Sequence, residues 1–184
     1  AKIINMSFGK YISENKRAVD EAVQFALKKG VLLIKAAGND NKNLDEIESY
    51  PNPQFPDGTT ANAWITVGAS NQTAEETLKA EFSNYGIKSV DVFAPGVRIY
   101  STIPGNLFRR LDGTSMAGPV VSGLAAMIWP YFPEFTAMEV KNIILQSVVR
   151  HESLAKRCVT GGVVNAYNAI QLAKELDQQK MKNK

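Results

Sequence analysis

The largely apolar run Val120–Trp129, in which Ser122 is the one polar side chain, is the feature that most constrains the fold. It closely follows the polar turn Gly113-Thr114-Ser115, and a helix that is apolar on nearly every face has to lie buried inside a larger structure. Pro119 is expected in the first turn of this helix, where its missing N–H costs little, and Pro130 limits how far the helix can run. The sequence therefore predicts a buried central helix with Ser115, a reactive or ligand-binding residue, at its beginning.

The start of the chain alternates strand, helix and strand. Residues 2–8 are mostly apolar, apolar residues recur at helical spacing from Glu14 to Lys29, and Gly30 is typical of a helix end. Val31–Ile34 is then a continuous apolar run, as expected for a parallel strand covered on both faces. This pattern predicts an α/β fold, with a partial doubly wound parallel sheet and helices on both faces.

Further strands are predicted at residues 64–69, 90–94 and 97–103. Pro95-Gly96 predicts a hairpin or a sharp corner between the last two. Residues 40–60 are rich in Asp, Asn and Pro with little periodicity, which predicts a long loop of the kind that is often functional.

The C-terminal part carries two helix-start signals. Thr136 and Glu139 have the spacing of a capping box, and Asn165 is expected to cap a last helix. Beyond Leu176 the chain is polar and lysine-rich, so a frayed tail is predicted at 177–184. No repeat or linker marks a second domain within the preceding residues.

Composition narrows the function classes. The chain has 184 residues, 45% of them hydrophobic and 21% charged, which is typical of one globular unit. The 21 basic and 18 acidic residues are spread too evenly to favour nucleic acid as a partner, and no apolar run approaches the roughly 18 residues that favour a membrane span. The single cysteine, Cys158, excludes an internal disulfide framework and a cysteine-rich zinc site.

Three separate segments are expected to meet at one cavity. Ser7-Phe8-Gly9 and Ala36-Ala37-Gly38-Asn39 each follow a predicted strand, and parallel strands end at the same edge of a sheet. A helix that begins near Ser115 and points at this edge adds free backbone N–H groups. An alcohol, a side-chain amide and backbone donors around one cavity are what acyl transfer requires, because the oxyanion must be met by donors already in place.

The motif Gly113-Thr114-Ser115-Met116-Ala117, followed by Pro119, resembles the nucleophile motif of the subtilisin-like serine proteases, the subtilases. Asn5–Gly9 resembles the family's substrate-pairing strand, and Ala36–Asn39 resembles its oxyanion segment. Residues 82–86, 91–96 and 111–115 follow in the family's order, so that the resemblance covers about residues 3 to 173.

The resemblance implies a role for each matching position. Ser115 would be the nucleophile, and the Asn39 amide with the Ser115 N–H would form the oxyanion hole. Ser7, Phe8 and Gly9 would pair with an extended peptide substrate. The pocket for the residue before the cleaved bond would be lined by three small residues, Ala36, Ala37 and Gly38.

The chain departs from the family pattern in two ways. Gly118 and Val120 stand where family members commonly have Thr and His around the proline, a change that bears on helix packing. The family's catalytic Asp and His precede the matched region, and the only histidine here, His151, follows Ser115. The resemblance thus implies that residues 1–176 are the C-terminal portion of a catalytic domain, with the N-terminal strands absent.

The 184 residues alone should be nearly inert, and their partners would be a polypeptide substrate and the missing N-terminal half, or a non-native second copy pairing along the exposed sheet edge. The resemblance places no cofactor or metal in this chain, leaves calcium open for the full-length protein, and suggests a secreted or cell-envelope protein.

The sequence is also compatible with other interpretations. The cleft could bind peptides without cleaving them, as in a non-catalytic relative, or the helix start could bind a small anion, although no glycine-rich phosphate loop is present. Ser115 could simply cap a helix, Asn39 could be a turn residue, and Ser7–Gly9 could be an ordinary strand end. His151 and Cys158 are expected to be structural, and Asp112 a turn residue. The loop acids Asp40, Asp45 and Glu46 are expected to be solvated rather than to bind calcium.

Overall fold

The computed structural model of the chain describes residues 1–73 and 77–182. Eight strands and four α-helices are present in these ranges. The strands are β1 (Ile3–Met6), β2 (Leu32–Ala36), β3 (Trp64–Ser70), β4 (Val92–Pro95), β5 (Ile99–Ile103), β6 (Leu107–Leu111), β7 (Val149–Arg150) and β8 (Gly162–Val163). The helices are α1 (Lys16–Lys28), α2 (Thr114–Tyr131), α3 (Ala137–Gln146) and α4 (Ala166–Lys182), with a 3₁₀ turn at Glu152–Leu154.

Six strands form one mainly parallel sheet in the order β1-β2-β3-β4-β8-β7. The pairs β1–β2, β2–β3, β3–β4 and β4–β8 are parallel, and only β7 runs antiparallel to its neighbour β8. Met6 lies opposite Lys35, and Ala36 lies opposite Val67. The carboxyl ends of β1 and β2 are therefore side by side, as the βαβ pattern predicts.

Helices cover both faces of the sheet. On one face the buried residues of α2, α3 and α4 pack against Leu32, Ile34 and Val67. On the other face Val23 of α1 packs against Leu33 and Trp64. This confirms the predicted α/β class with helices on both sides of a parallel sheet. Helix α2 packs centrally on that sheet but is buried on one side only, since Met127 is 51% and Tyr131 82% exposed, so the prediction of a helix buried on nearly every face is wrong.

The predicted helix boundaries hold at three places. Gly30 has a positive φ of +70° directly after α1, and its N–H bonds the Leu27 carbonyl. The Thr136 and Glu139 side chains form both bonds of the capping box at α3. The Asn165 side chain accepts a hydrogen bond from the Asn168 N–H at the start of α4.

Pro95-Gly96 is the sharp corner that the sequence offered as one alternative, and there the chain leaves the parallel sheet; the hairpin lies at Pro104–Asn106 between β5 and β6. The tail predicted to fray from residue 177 continues as helix α4 to Lys182, and residues 183–184 lie outside the described part. Lys180 explains the difference, because its ammonium lies 2.6 Å from Glu139 and above the ring of Phe135.

A search of residues 1–73 and 77–182 finds no helix with the length and apolar character needed to cross a bilayer.

Candidate active site

Ser115 lies in the first turn of α2, at a cavity beside the ends of β1 and β2. The preceding Gly113 is buried and has a φ of +147°, a conformation that strains any other residue, and its N–H bonds the Gly96 carbonyl. This bond ties the start of α2 to the corner after β4. Ser115 itself is half-buried, so its hydroxyl is held by the fold but still accessible.

The Asn39 side chain is oriented by Thr114. Its Oδ1 accepts hydrogen bonds from both the N–H and the hydroxyl of Thr114, each at 2.9 Å. The same Thr114 hydroxyl accepts from the Gly38 N–H at 3.0 Å. Because Oδ1 is fixed in this way, the amide nitrogen of Asn39 has to point to the other side. Thr114, which is fully buried, therefore fixes the geometry of a neighbouring donor.

Two hydrogen-bond donors converge beside Gly113. A Cβ atom built on Gly113 would lie 3.5 Å from Asn39 Nδ2 and 3.6 Å from the Ser115 nitrogen. Within residues 1–73 and 77–182, neither the Asn39 Nδ2 nor the Ser115 N–H has a hydrogen-bond partner. A helix N-terminus leaves such N–H groups free, so both donors are available to an oxygen atom next to Ser115.

Ser7 and Ser115 exchange two hydrogen bonds. The Ser7 hydroxyl donates to the Ser115 carbonyl at 2.9 Å, and the Ser115 hydroxyl donates to the Ser7 carbonyl at 3.3 Å. In a regular helix the N–H of residue 119 would bond the Ser115 carbonyl, but Pro119 has none. Pro119 is the sixth residue of α2, so the prediction that it sits in the first turn is wrong. Its missing bond is replaced by Ser7, which fastens the end of β1 to the start of α2.

Asn84 organises the segment that carries Asn39, a role that the sequence did not reveal. It is fully buried and donates to the Ala37 carbonyl at 2.9 Å, while its Oδ1 accepts from the N–H groups of Asp40 and Lys42. A Cβ on Gly38, where φ is +105°, would come within 2.5 Å of the Asn84 amide. The sequence signal for Asn84 was its place in the motif at residues 82–86, and the motif alone did not assign a role to it.

The cavity has a volume of about 320 Å³ and brings together most of the predicted site residues. Its lining includes Ser7, Phe8, Gly9, Ala36, Gly38, Asn39 and Ser115, and also Lys10, Tyr11, Lys35, Asp40, Ser49 and Thr114. Ala37 is the exception. Its side chain is fully buried and packs with Val90 and Phe93 in a separate apolar cluster.

Two residues that line the cavity, Lys35 and Tyr11, have pKa values shifted from their ordinary values. Burial lowers the pKa of Lys35 to about 8. Burial and a hydrogen bond to Asp40 raise the pKa of the Tyr11 hydroxyl. At neutral pH both groups therefore carry their protons, and both are hydrogen-bond donors in the cavity.

His151 and Cys158 lie outside this cavity. The His151 N–H bonds the Gly161 carbonyl next to the short pair β7–β8. Cys158 is buried in a separate apolar cluster, and burial raises the pKa of its thiol. Neither side chain is positioned to act on Ser115.

The acidic residues of the 40–60 loop have protein partners. Asp45 accepts from the N–H groups of residues 88 and 89, and Asp40 accepts from the Tyr11 hydroxyl. Across the part of the chain that the structure describes, no group of three or more His, Cys, Asp or Glu residues has an arrangement that could hold a metal ion.

Comparisons with known proteins agree with this geometry. A family model described as the Subtilase family matches residues 1–174. The chain is 34% identical to subtilisin-like protease 2 of Plasmodium falciparum over 178 residues, which are 92% of this chain and 12% of that protein. It is 36% identical to the thermophilic serine proteinase of Bacillus sp. (strain AK1) over 176 residues, which are 92% of this chain and 38% of that protein.

Solved structures show the same relationship. The structure of the subtilase cytotoxin SubAB matches with a TM-score of 0.82 and 26% identity, covering 98% of this chain and 61% of that one. The self-cleaved protease domain of PatA matches with a TM-score of 0.74 and 30% identity, covering 95% and 63%. The chain thus spans about three fifths of these two solved chains and less than half of the two curated relatives. Its sequence motifs, its sheet order and these matches agree, and the chain belongs to the subtilase family of serine proteases.

Proposed function

We propose that this chain carries the nucleophile and the oxyanion donors of a serine endopeptidase. The observation that supports this most strongly is the convergence of the Ser115 hydroxyl, the Ser115 N–H and the Asn39 Nδ2 at one cavity. A helix-capping serine would need no neighbouring amide with a free donor. The proposed reaction is hydrolysis of a peptide bond through an acyl-enzyme at Ser115.

The proposed mechanism assigns a task to each group. An extended substrate lies along Ser7–Gly9, and the Ser115 Oγ attacks its carbonyl carbon. The carbonyl oxygen becomes an oxyanion, which accepts hydrogen bonds from Asn39 Nδ2 and the Ser115 N–H. The Ser115 proton passes through a general base to the leaving amine, and water then hydrolyses the ester in a second addition and elimination.

The general base is proposed to come from outside these 184 residues. The only imidazole of the sequence is His151, which lies outside the cavity, and the Ser115 hydroxyl bonds the Ser7 carbonyl instead. A serine without a base is a weak nucleophile at neutral pH. We expect the catalytic Asp and His on a segment of the full-length protein that precedes this chain, and the 184 residues alone should be nearly inactive.

The edge strand β1 is proposed to pair with that same segment. It is the outermost strand of the sheet, and Ile4 on it is 39% exposed. An unpaired apolar edge favours pairing with another strand. In the 184-residue chain alone we expect β1 to pair with a second copy, which analytical ultracentrifugation would detect as a dimer, and Ile4→Lys should shift the dimer towards monomer.

Activity of the full-length protein tests the proposal. It should cleave peptide substrates, and Ser115→Ala should lower kcat/KM by about 10⁴-fold or more, because the acyl-enzyme cannot form. Ser122→Ala is a matched control on the same helix, since its hydroxyl bonds only Asn5 and the Gly118 carbonyl among the described residues. Peptide cleavage that survives Ser115→Ala would contradict the assignment.

The second candidate is a relative that binds peptides in the same cleft without cleaving them. The observation that favours it is that Ser115 Oγ contacts no base within this chain. A full-length protein that binds peptides but leaves them intact, with unchanged affinity after Ser115→Ala, would support this alternative over the peptidase.

A further inference from the structure

Lys35 is a buried cation within an otherwise apolar strand. Only 2% of its surface is exposed, and its ammonium donates to the Ala36 carbonyl at 3.0 Å and to the Ser49 hydroxyl at 3.1 Å. An ammonium has three donors, so one remains. No carboxylate within residues 1–73 and 77–182 forms an ion pair with it. A buried charge without a counter-ion lowers the stability of the fold by several kcal/mol.

The ammonium belongs to the same cavity as the nucleophile. Lys35 and Ser49 line it together with Ser115. A Cβ atom built on Gly9 would lie 3.5 Å from Lys35 Nζ and 3.6 Å from Ser49 Oγ. Because residue 9 is glycine, no side chain covers the ammonium from that direction. At about 320 Å³ the cavity is at the lower end of the roughly 300 to 1,000 Å³ of ligand pockets, which is room for one side chain.

The charges on the cavity lining favour an anion. Lys35 and Lys10 carry positive charge, and Asp40 is the one carboxylate among the described residues that line the cavity. Asp40 accepts a hydrogen bond from the Tyr11 hydroxyl, and it forms no ion pair with Lys35 among the described residues. The lining has a net positive charge that an incoming carboxylate would balance.

The carboxylates on the far side of Lys35 have other partners. A second cavity, which Lys35 also lines, contains Asp45, Glu48 and Asp91. Asp45 accepts from two backbone N–H groups, Asp91 accepts from a backbone N–H and lies 4.0 Å from Lys141, and Glu48 accepts from a tyrosine hydroxyl. These contacts leave the third donor of Lys35 for a group from outside the chain.

We propose that Lys35, with Ser49, selects an acidic side chain, Asp or Glu, as the substrate residue before the cleaved bond. This inference rests on the proposed peptidase function and adds a substrate class to it. The side chain enters past Gly9 and Ala36, and its carboxylate accepts from the free donor of Lys35, which burial has left without a counter-ion. The pKa of about 8 keeps Lys35 protonated at neutral pH, and a bound carboxylate stabilises that form further.

The test compares peptides that differ only at the residue before the cleaved bond, using the full-length protein. Glu should be cleaved with a kcat/KM at least about tenfold above Gln, because Gln cannot neutralise the ammonium. Lys35→Met should abolish this ratio and favour a Leu peptide instead. Lys10→Met, at an exposed lysine of the same cavity, should change the ratio much less.

Peptide cleavage by the unmodified protein tests the proposal even if Lys35→Met fails to fold. Equal cleavage of the Glu and Gln peptides would overturn the role of Lys35 and leave the peptidase proposal standing. If no peptide is cleaved and a fluorophosphonate does not label Ser115, the peptidase proposal fails instead. In that case the affinities of the Glu and Gln peptides, measured by fluorescence anisotropy, decide whether Lys35 recognises a carboxylate, and equal affinities overturn it.

Discussion

The two sides of the Ser115 cavity differ in charge and in hydrogen bonding. On the Asn39 side, uncharged groups bond one another, from Gly38 to Thr114 to the amide oxygen, and two donors are left beside the nucleophile. On the Lys35 side, a buried cation bonds only a carbonyl and a hydroxyl of the described chain.

This difference separates what any peptide substrate needs from what one substrate class needs. Every acyl transfer develops an oxyanion, so donors such as Asn39 Nδ2 should act on all substrates equally. An unbalanced charge costs stability in the free protein and is offset only by a ligand of opposite charge. Changes on the Asn39 side should therefore alter kcat for all substrates, whereas changes on the Lys35 side should alter stability and selectivity.

Asn39→Leu should give the largest effect. The expected loss in kcat is about 10²–10³-fold, the range found when an oxyanion-hole donor is removed from a subtilisin. KM should change little, and Glu and Gln peptides should lose equally, because the donor acts on the transition state. Steady-state kinetics on both peptides measures this. A loss confined to one peptide would break the proposed division between the two sides.

Lys35→Met should remove a pH dependence of stability. The pKa of Lys35 is about 8 in the folded protein, against 10.5 for an unperturbed lysine, so the unfolded chain holds the proton more tightly. The free energy of unfolding should therefore rise with pH between about 8 and 10.5, by on the order of 3 kcal/mol, and this group should add no slope below that window.

Urea unfolding of the unmodified protein and of Lys35→Met at pH 7 and pH 10 measures this contribution. The variant serves as the control for all other groups that titrate in the same range. A stability difference between the two proteins that stays the same at both pH values would contradict the account of Lys35 as a buried, unbalanced cation.

Asn84→Ala should destabilise the segment that carries Asn39. The substitution leaves the Ala37 carbonyl and the N–H groups of Asp40 and Lys42 without their partner, at an expected cost of about 2–3 kcal/mol. The midpoint of urea unfolding measures the change. The control variant is Ser83→Ala, at the neighbouring residue, which removes a hydroxyl that accepts a hydrogen bond from the Ala69 N–H of β3. Asn84→Ala should therefore lower kcat more than Ser83→Ala does. Equal effects on kcat would indicate a general loss of packing.

Ser7→Ala should have the smallest effect, about 1 kcal/mol, because it removes the hydrogen bond to the Ser115 carbonyl and one exposed hydrogen bond from the Asn5 amide. The matched variant is Pro119→Ala, which restores an N–H able to bond that carbonyl within the helix. Ser7→Ala should therefore cost less in a Pro119→Ala background than alone. A double-mutant cycle of unfolding free energies measures this coupling, and additive costs would contradict the exchange of partners.

The fold was predictable where periodicity carries the information. The apolar run of β2 and the mostly apolar helix α2 each specify an element of the core, and their order specifies the parallel sheet. The β5–β6 hairpin was missed because its register depends on residues 104–106 rather than on the more conspicuous Pro95-Gly96. The end of α4 was missed because Lys180 is stabilised by Glu139 on another helix, a contact between residues far apart in the sequence.

The candidate site was predictable where a sequence motif identifies a residue. Motif order led to Ser115 and Asn39, but the orientation of the Asn39 amide depends on hydrogen bonds from Thr114, which lies 75 residues away in the sequence. Lys35 gave no signal beyond its place at the end of an apolar run, since burial and missing partners are properties of the folded chain. Ala37 was assigned to the pocket by its motif, but in the folded chain its side chain packs with Val90 and Phe93 in an apolar cluster.

We propose that Ser115 is a nucleophile whose oxyanion donors lie in this chain and whose base does not. Labelling by a fluorophosphonate, with the labelled residue located by mass spectrometry, tests this proposal. The full-length protein should be labelled stoichiometrically at Ser115, and the 184-residue chain, with its fold checked by circular dichroism, should stay unlabelled over the same time. Rapid stoichiometric labelling of Ser115 in the 184-residue chain would contradict the claim.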